Sequence, residues 1–147
     1  MATADPFDLD RFVTAQQPVV AAALAELKAG RKRSHWMWFI FPQLCGLGSS
    51  SMAELYGIDS LDEARAYLDH PVLGPRLHLV TEAVLVVQGQ SCQAIFGSPD
   101  DMKFGSSMTL FAAAAEQGDS VFHQALERHC DGRADPRTLA LLQQGAG

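Results

Sequence analysis

The stretch PVLGPRLHLVTEAVLVVQG, Pro71–Gly89, decides the fold class. Leu77, Val80, Val84 and Val87 recur at intervals of three and four, which places them on one face of an α-helix. The valine-rich end has the β-branched content of a strand as well. Length separates the two readings, because strands average about five to six residues and helices about eleven to twelve. An unbroken periodic segment between Pro71 and Gly89 is therefore predicted as a helix.

Working outward, the same punctuation recurs: an oxygen-bearing cap followed by proline or acid at a start, and glycine at an end. Asp8 is placed to cap a short helix through Phe12. Pro18 fits the first turn of a second helix that carries Val20, Leu24 and Leu27 and stops at Gly30. Ser60 and Glu63 have the spacing of a capping box. Ser98-Pro99-Asp100-Asp101 stacks a cap, a first-turn proline and two dipole-matched acids ahead of the apolar stripe Met108, Phe111, Ala112 and Ala115. Asp119 begins a helix that ends near Gly132, and Asp135-Pro136 begins the last, with Leu139 and Leu142. No repeat, linker or low-complexity tract breaks the series. The expectation is an all-α, single-domain multihelical array over residues 1–147, with short flexible ends at about 1–7 and 144–147.

Composition narrows the function. With 48% hydrophobic and 19% charged residues the chain has the makings of a folded core. A formal charge of −6 opposes binding to a polyanion, so nucleic acid is disfavoured as a partner. Cys45, Cys92 and Cys130 form no C-x-x-C pair and are too few for a disulfide framework, which points to a reducing cytoplasm. MATADPFDLD has none of the positive and apolar character of a signal peptide. The longest apolar run, Trp36 to Phe41, is far short of the roughly 20 residues that span a bilayer, so no membrane role is expected.

Three stretches carry chemistry. In RKRSHWMWFIFPQ, Arg31–Gln43, the cations either complement a helix C-terminus or turn Arg31 or Arg33 toward a phosphate or carboxylate. Trp36 and Trp38 either fill the core or stack on a flat ligand, and His35 stands between the two groups. In LCGLGSSSMAEL, the free N–H groups behind Ser49 and Ser50 either take a serine cap or receive an oxyanion. In FGSPDDMKFGSSMTLF, Asp100, Lys103 and Ser107 share one helix face, with Ser106 beside them, and Phe104, Met108 and Phe111 share a core face. Asp100 and Lys103 are either a surface ion pair or a pair able to position a ligand and move a proton. No metal site is expected, because His123 and Glu127 lack further ligands. No cofactor is implied.

The words RKRSHWMWFIFPQLCGLGSSSMAELYGI, EARAYLDHPVLGPRL, IFGSPDDMKFGSSMTLF and DGRADPRTLALL, in that order, resemble a bacterial family catalogued as domain of unknown function 1810. The resemblance runs from Arg11-Phe12 to Leu142 and implies a compact all-helical fold without an established reaction. Some members carry the label calpastatin, which sits badly with a chain of this composition, since calpastatins are long and disordered. A fainter likeness, in helical character and in tryptophan, lysine and aspartate content, is to N-glycosidases that act on riboflavin intermediates and ADP-ribose adducts. It implies a nucleotide-like ligand and a hydrolase-like activity, with no residue roles carried over. The functional expectation is a domain for a small phosphorylated molecule, held by Arg31, Arg33, His35, Trp36, Trp38, Ser49, Ser50, Ser106 and Ser107, with Asp100 and Lys103 at the chemistry. The alternative is a module whose aromatic stretch meets a protein partner.

Overall fold

A computed structural model, which describes residues 5–47, 50–87, 90–98, 100–115, 120–129 and 134–145, makes the deciding stretch helical from Leu73 to Leu85. The helix starts two residues after Pro71 because His70 caps it: its Nδ1 accepts from the Val72 and Leu73 N–H groups at 3.1 and 3.2 Å. It stops before Val87, where Arg128 donates to the Leu85 carbonyl at 3.0 Å and satisfies one of the last turn's open acceptors. Gly89 lies outside the described residues.

The described residues form ten helices and no strand. They are α1 (Asp10–Gln16), α2 (Val20–Lys28), α3 (Met37–Ile40), α4 (Ser51–Leu55), α5 (Leu61–Asp69), α6 (Leu73–Leu85), α7 (Cys92–Phe96), α8 (Asp100–Ala114), α9 (Val121–His129) and α10 (Pro136–Gly145). None of them is long and apolar enough to cross a membrane. The fold is all-α. Helices α5, α6, α9 and α8 pack around a common centre in that cyclic order, α2 lies on α6, and α7 and α10 flank α8.

Several caps match the sequence reading. Ser50, Ser60 and Asp135 accept from the N–H groups three residues on, at 3.1 Å in each case. Others differ. Asp8 has φ +51° and caps nothing; Asp5 takes the Leu9 and Asp10 N–H groups instead, and α1 runs on to Gln16. Glu63 reaches past its own cap residue to the Asp59 N–H at 2.9 Å. The expected starts at Pro99 and Asp119 and the end at Gly132 lie outside the described residues.

Aromatic rings build the core around α8. Phe96 stacks on Phe104 with centroids 4.6 Å apart, and Phe41 meets Phe104 edge-on at 5.1 Å. On the other side Phe12, Tyr67, Phe111 and Phe122 follow one another at 5.2 to 5.8 Å. Gln16 is buried with them and donates to Tyr67 Oη at 2.9 Å and to the Phe39 carbonyl at 2.6 Å, so its amide is not stranded. Gly74 is required where α6 crosses α5, since a Cβ there would collide with the Leu68 carbonyl.

Arg11 ties the N-terminal helix to this frame. Its guanidinium donates to the carbonyls of Phe7, Asp8, Leu55 and Gly57 and to Glu63 Oε2 at 2.9 Å, which uses all five of its N–H groups. The Glu63 side chain is 3% exposed, so its charge depends on that partner. Arg11→Ala should lower the unfolding free energy by about 3–5 kcal/mol, read from urea denaturation, because it leaves the carboxylate buried and unpaired. Pairing it with Glu63→Leu should return part of the loss; a loss under about 1 kcal/mol in Arg11→Ala would contradict this assignment.

Candidate functional site

The segment between α2 and α3 is shaped by Glu26. At the end of α2, Gly30 (φ +79°) donates to the Leu27 carbonyl and Arg31 N–H to the Glu26 carbonyl, the paired bonds of a Schellman stop. The Glu26 carboxylate then accepts from Arg33 N at 2.6 Å, Ser34 N at 2.9 Å, Ser34 Oγ at 2.7 Å and Trp36 Nε1 at 3.1 Å. Burial by itself would raise this carboxyl group; the Ser34 hydroxyl, the two backbone N–H groups and the indole outweigh it and hold it at about 2.

This knot sorts the cations and aromatics that the sequence presents together. Arg31, Arg33 and His35 are exposed, and neither arginine side chain has a hydrogen-bond or ion-pair partner among the described residues. Trp36 is fully buried against Phe41, so no ligand can stack on it. Lys32 turns inward: its side chain is 8% exposed, its Nζ lies 2.9 Å from Asp100 Oδ2, and it sits 5.1 Å from the Trp36 ring centroid. Trp38 is half-buried, and Lys103 Nζ lies 4.7 Å over its ring. Lys103 also reaches Asp100 Oδ1 at 3.3 Å, so Asp100 is held between two lysines, each resting on a tryptophan.

Trp38 and Lys103 open into a surface cleft of about 480 Å³. Gln43 and Ser50 line it from the chain ahead of α4, Lys103 and Ser106 from α8, and Asp135 and Arg137 from the start of α10. A niche of about 10 Å³, room for about one water, shares Trp38, Gln43 and Lys103 with the cleft and is also lined by Tyr56. Arg137 is brought there because the start of α10 is pinned to α8. Asp135 N donates to Thr109 Oγ1 at 2.8 Å, and Ser106 Oγ donates to Asp135 Oδ2 at 3.1 Å. Arg137 then donates to the Leu47 carbonyl at 3.2 Å, across the cleft mouth.

Of the residues named from sequence, Trp38, Ser50, Lys103 and Ser106 converge here. Arg31, Arg33, His35, Trp36 and Ser107 do not line the cleft; Ser107 is fully buried, with a hydroxyl that has no hydrogen-bond partner among the described residues. Ser49 lies outside the described residues. Gln43, Tyr56 and Arg137 were not singled out, although Arg137 belongs to the conspicuous word DGRADPRTLALL. Among the described residues no three metal-ligating side chains come together. Burial and the nearby Asp59 carboxylate push the Cys45 thiol up to about 11, so at neutral pH it is no nucleophile.

Fold and cleft together define an all-helical protein with a cationic, aromatic-walled surface cleft. The chain belongs to the family described as protein of unknown function (DUF1810), whose model matches residues 6–142. It is also similar to a conserved hypothetical protein from Mycobacterium tuberculosis whose crystal structure is known. The two share 58% identity over 95% of this chain and 99% of that one, with a TM-score of 0.92. No curated protein matches the chain.

The Glu26 knot has a pH signature. A carboxyl group held below its ordinary value of 4.5 contributes stability that is complete above that pH and is lost as pH falls toward about 2. Thermal melts between about pH 5 and pH 2 should show the parent losing more stability than Glu26→Gln. Parallel curves for the two proteins would contradict the role given to this carboxylate.

Proposed function

We propose that the cleft binds a small phosphorylated, nucleotide-like molecule. The observation that carries this reading is the Lys103 ammonium seated 4.7 Å over the half-exposed Trp38 ring, with the Arg137 guanidinium at the end of the same cleft. A flat ring stacks on Trp38, and the phosphate lies between Lys103 and Arg137, whose fork suits two parallel hydrogen bonds. Ser50 Oγ keeps its own proton to donate while it accepts from Ala53 N, and the Gln43 amide offers both a donor and an acceptor to the edge of the ring. The one carboxylate that lines the cleft, Asp135, is engaged through Oδ2, which accepts from the Ser106 hydroxyl and from the Thr138 N–H and hydroxyl.

Binding, rather than acid–base hydrolysis, is the function this arrangement supports best. Each Asp100 oxygen faces a lysine, which suits a group that positions Lys103 better than one that takes a proton from substrate. The protein-partner reading has less behind it. Trp36 is buried, and the exposed large apolar side chains Leu55, Leu79, Val86, Met102 and Leu139 are spread over α4, α6 and the residue after it, α8 and α10.

A thermal-shift panel of nucleoside monophosphates, ADP-ribose and sugar phosphates tests the proposal. A ligand at 100 times its dissociation constant should add about 2.7 kcal/mol of stability to the parent protein. Lys103→Ala and Trp38→Ala should fold and lose most of that shift. Equal shifts in parent and variants, or none with any member of the panel, would contradict it.

A further inference from the structure

Lys32 does not line the cleft, and its charge is nevertheless spent on the cleft's behalf. Its ammonium sits behind Asp100, 2.9 Å from Oδ2, while Lys103 approaches Oδ1 from the cleft side at 3.3 Å. Two cations and one carboxylate leave a net charge of +1 for the group. Without Lys32, the Asp100 carboxylate would offset Lys103 alone, and the potential over Trp38 would be less positive. The arrangement is tightly held: the Lys32 backbone N–H donates to the Ile95 carbonyl at 2.7 Å, its ammonium rests on the buried Trp36 ring, and its side chain is 8% exposed. An ion pair whose only task was to fasten the segment between α2 and α3 to α8 would need one lysine. The second leaves Lys103 tethered over Trp38 with its positive charge uncancelled.

We propose that Lys32 is a positioning and specificity-determining residue: by neutralising Asp100 from behind, it makes the Trp38 cleft selective for anionic over neutral ring-bearing ligands. The ligand part of this inference rests on the function proposed above; the electrostatic part does not. In the electrostatic part, Asp135 and Arg137, which also line the cleft, set a constant background, and the field at Trp38 rises or falls with each of the three charges of Lys32, Asp100 and Lys103. In the ligand part, a phosphate group gains from that field and a neutral nucleoside does not, so the same ring with and without phosphate separates the two contributions.

Charged quenchers of tryptophan fluorescence read the field directly. Trp36 is fully buried, so collisional quenching by iodide reports Trp38, and uncharged acrylamide corrects for any change in access. Lys32→Met should lower the iodide-to-acrylamide quenching ratio by about two-fold, and Lys32→Arg should keep it near the parent value. Asp100→Asn should raise the ratio. Opposite signs for the two neutralising variants are what a purely structural role would not produce, and Asp100→Asn decides the matter alone if Lys32→Met does not fold. With adenosine 5′-monophosphate as probe, Lys32→Met should weaken binding by about five-fold and leave adenosine binding unchanged. An iodide ratio that stays constant in the folded variants, or that moves the same way in both, overturns the inference. If the ratio moves as expected and neither adenosine nor its monophosphate binds the parent, Lys32 keeps its electrostatic role and the nucleotide-like reading of the cleft fails instead.

Discussion

The Glu26 carboxylate is the constraint on which the cleft depends. Helix α2 could leave Gly30 in many directions, and four hydrogen bonds from Arg33, Ser34 and Trp36 to one side chain select a single path. That path sends the Trp36 indole into the core and leaves Arg31 and Arg33 facing water. Lys32 is turned inward to Asp100, and Trp38 emerges on α3 two residues after Trp36. A carboxylate that accepts this many bonds is held well below its ordinary value of 4.5, at about 2.

From there the site follows by relay. Lys32 meets Asp100 in the first turn of α8, where an acid also suits the helix dipole, and Asp100 in turn holds Lys103 one turn further along. Lys103 lies over Trp38, which closes a loop of contacts between α3 and α8. The opposite wall has a separate origin. Asp135 caps α10 and at the same time takes the Ser106 hydroxyl, so the residue that starts the helix also docks it. Arg137 reaches the cleft because of that docking.

Helices with strong end signals were legible in the sequence. Ser60 and Asp135 start α5 and α10 as read, and Phe104, Met108 and Phe111 are core as their spacing on α8 implies. Helices α3 and α7 were not, because each is a turn or so long: α3 has no side-chain cap, and the one serine cap of α7, Ser91 accepting from Ala94 N at 3.1 Å, precedes a segment too short to show a period. The run Trp36–Phe41 is apolar on every side, so nothing in it tells the buried tryptophan from the half-exposed one. The cleft was legible in residue types and not in membership. Arginines adjacent to aromatics in sequence end up facing solvent, while Arg137, about a hundred residues away, supplies the guanidinium. Glu26 reads as an ordinary surface acid on α2, since bonds to residues seven to ten positions onward leave no periodic trace.

On the proposed function the two tryptophans have separate roles, Trp36 in the frame and Trp38 at the ligand. Two-dimensional nitrogen–proton NMR tests it most directly, because each indole N–H gives its own resonance and Trp38→Phe assigns them. Titration with adenosine 5′-monophosphate should move the Trp38 indole resonance to a plateau and leave that of Trp36, bonded to Glu26 at 3.1 Å, where it is. A Trp38 resonance that does not move at saturating nucleotide, or two resonances that shift in step, would contradict the account.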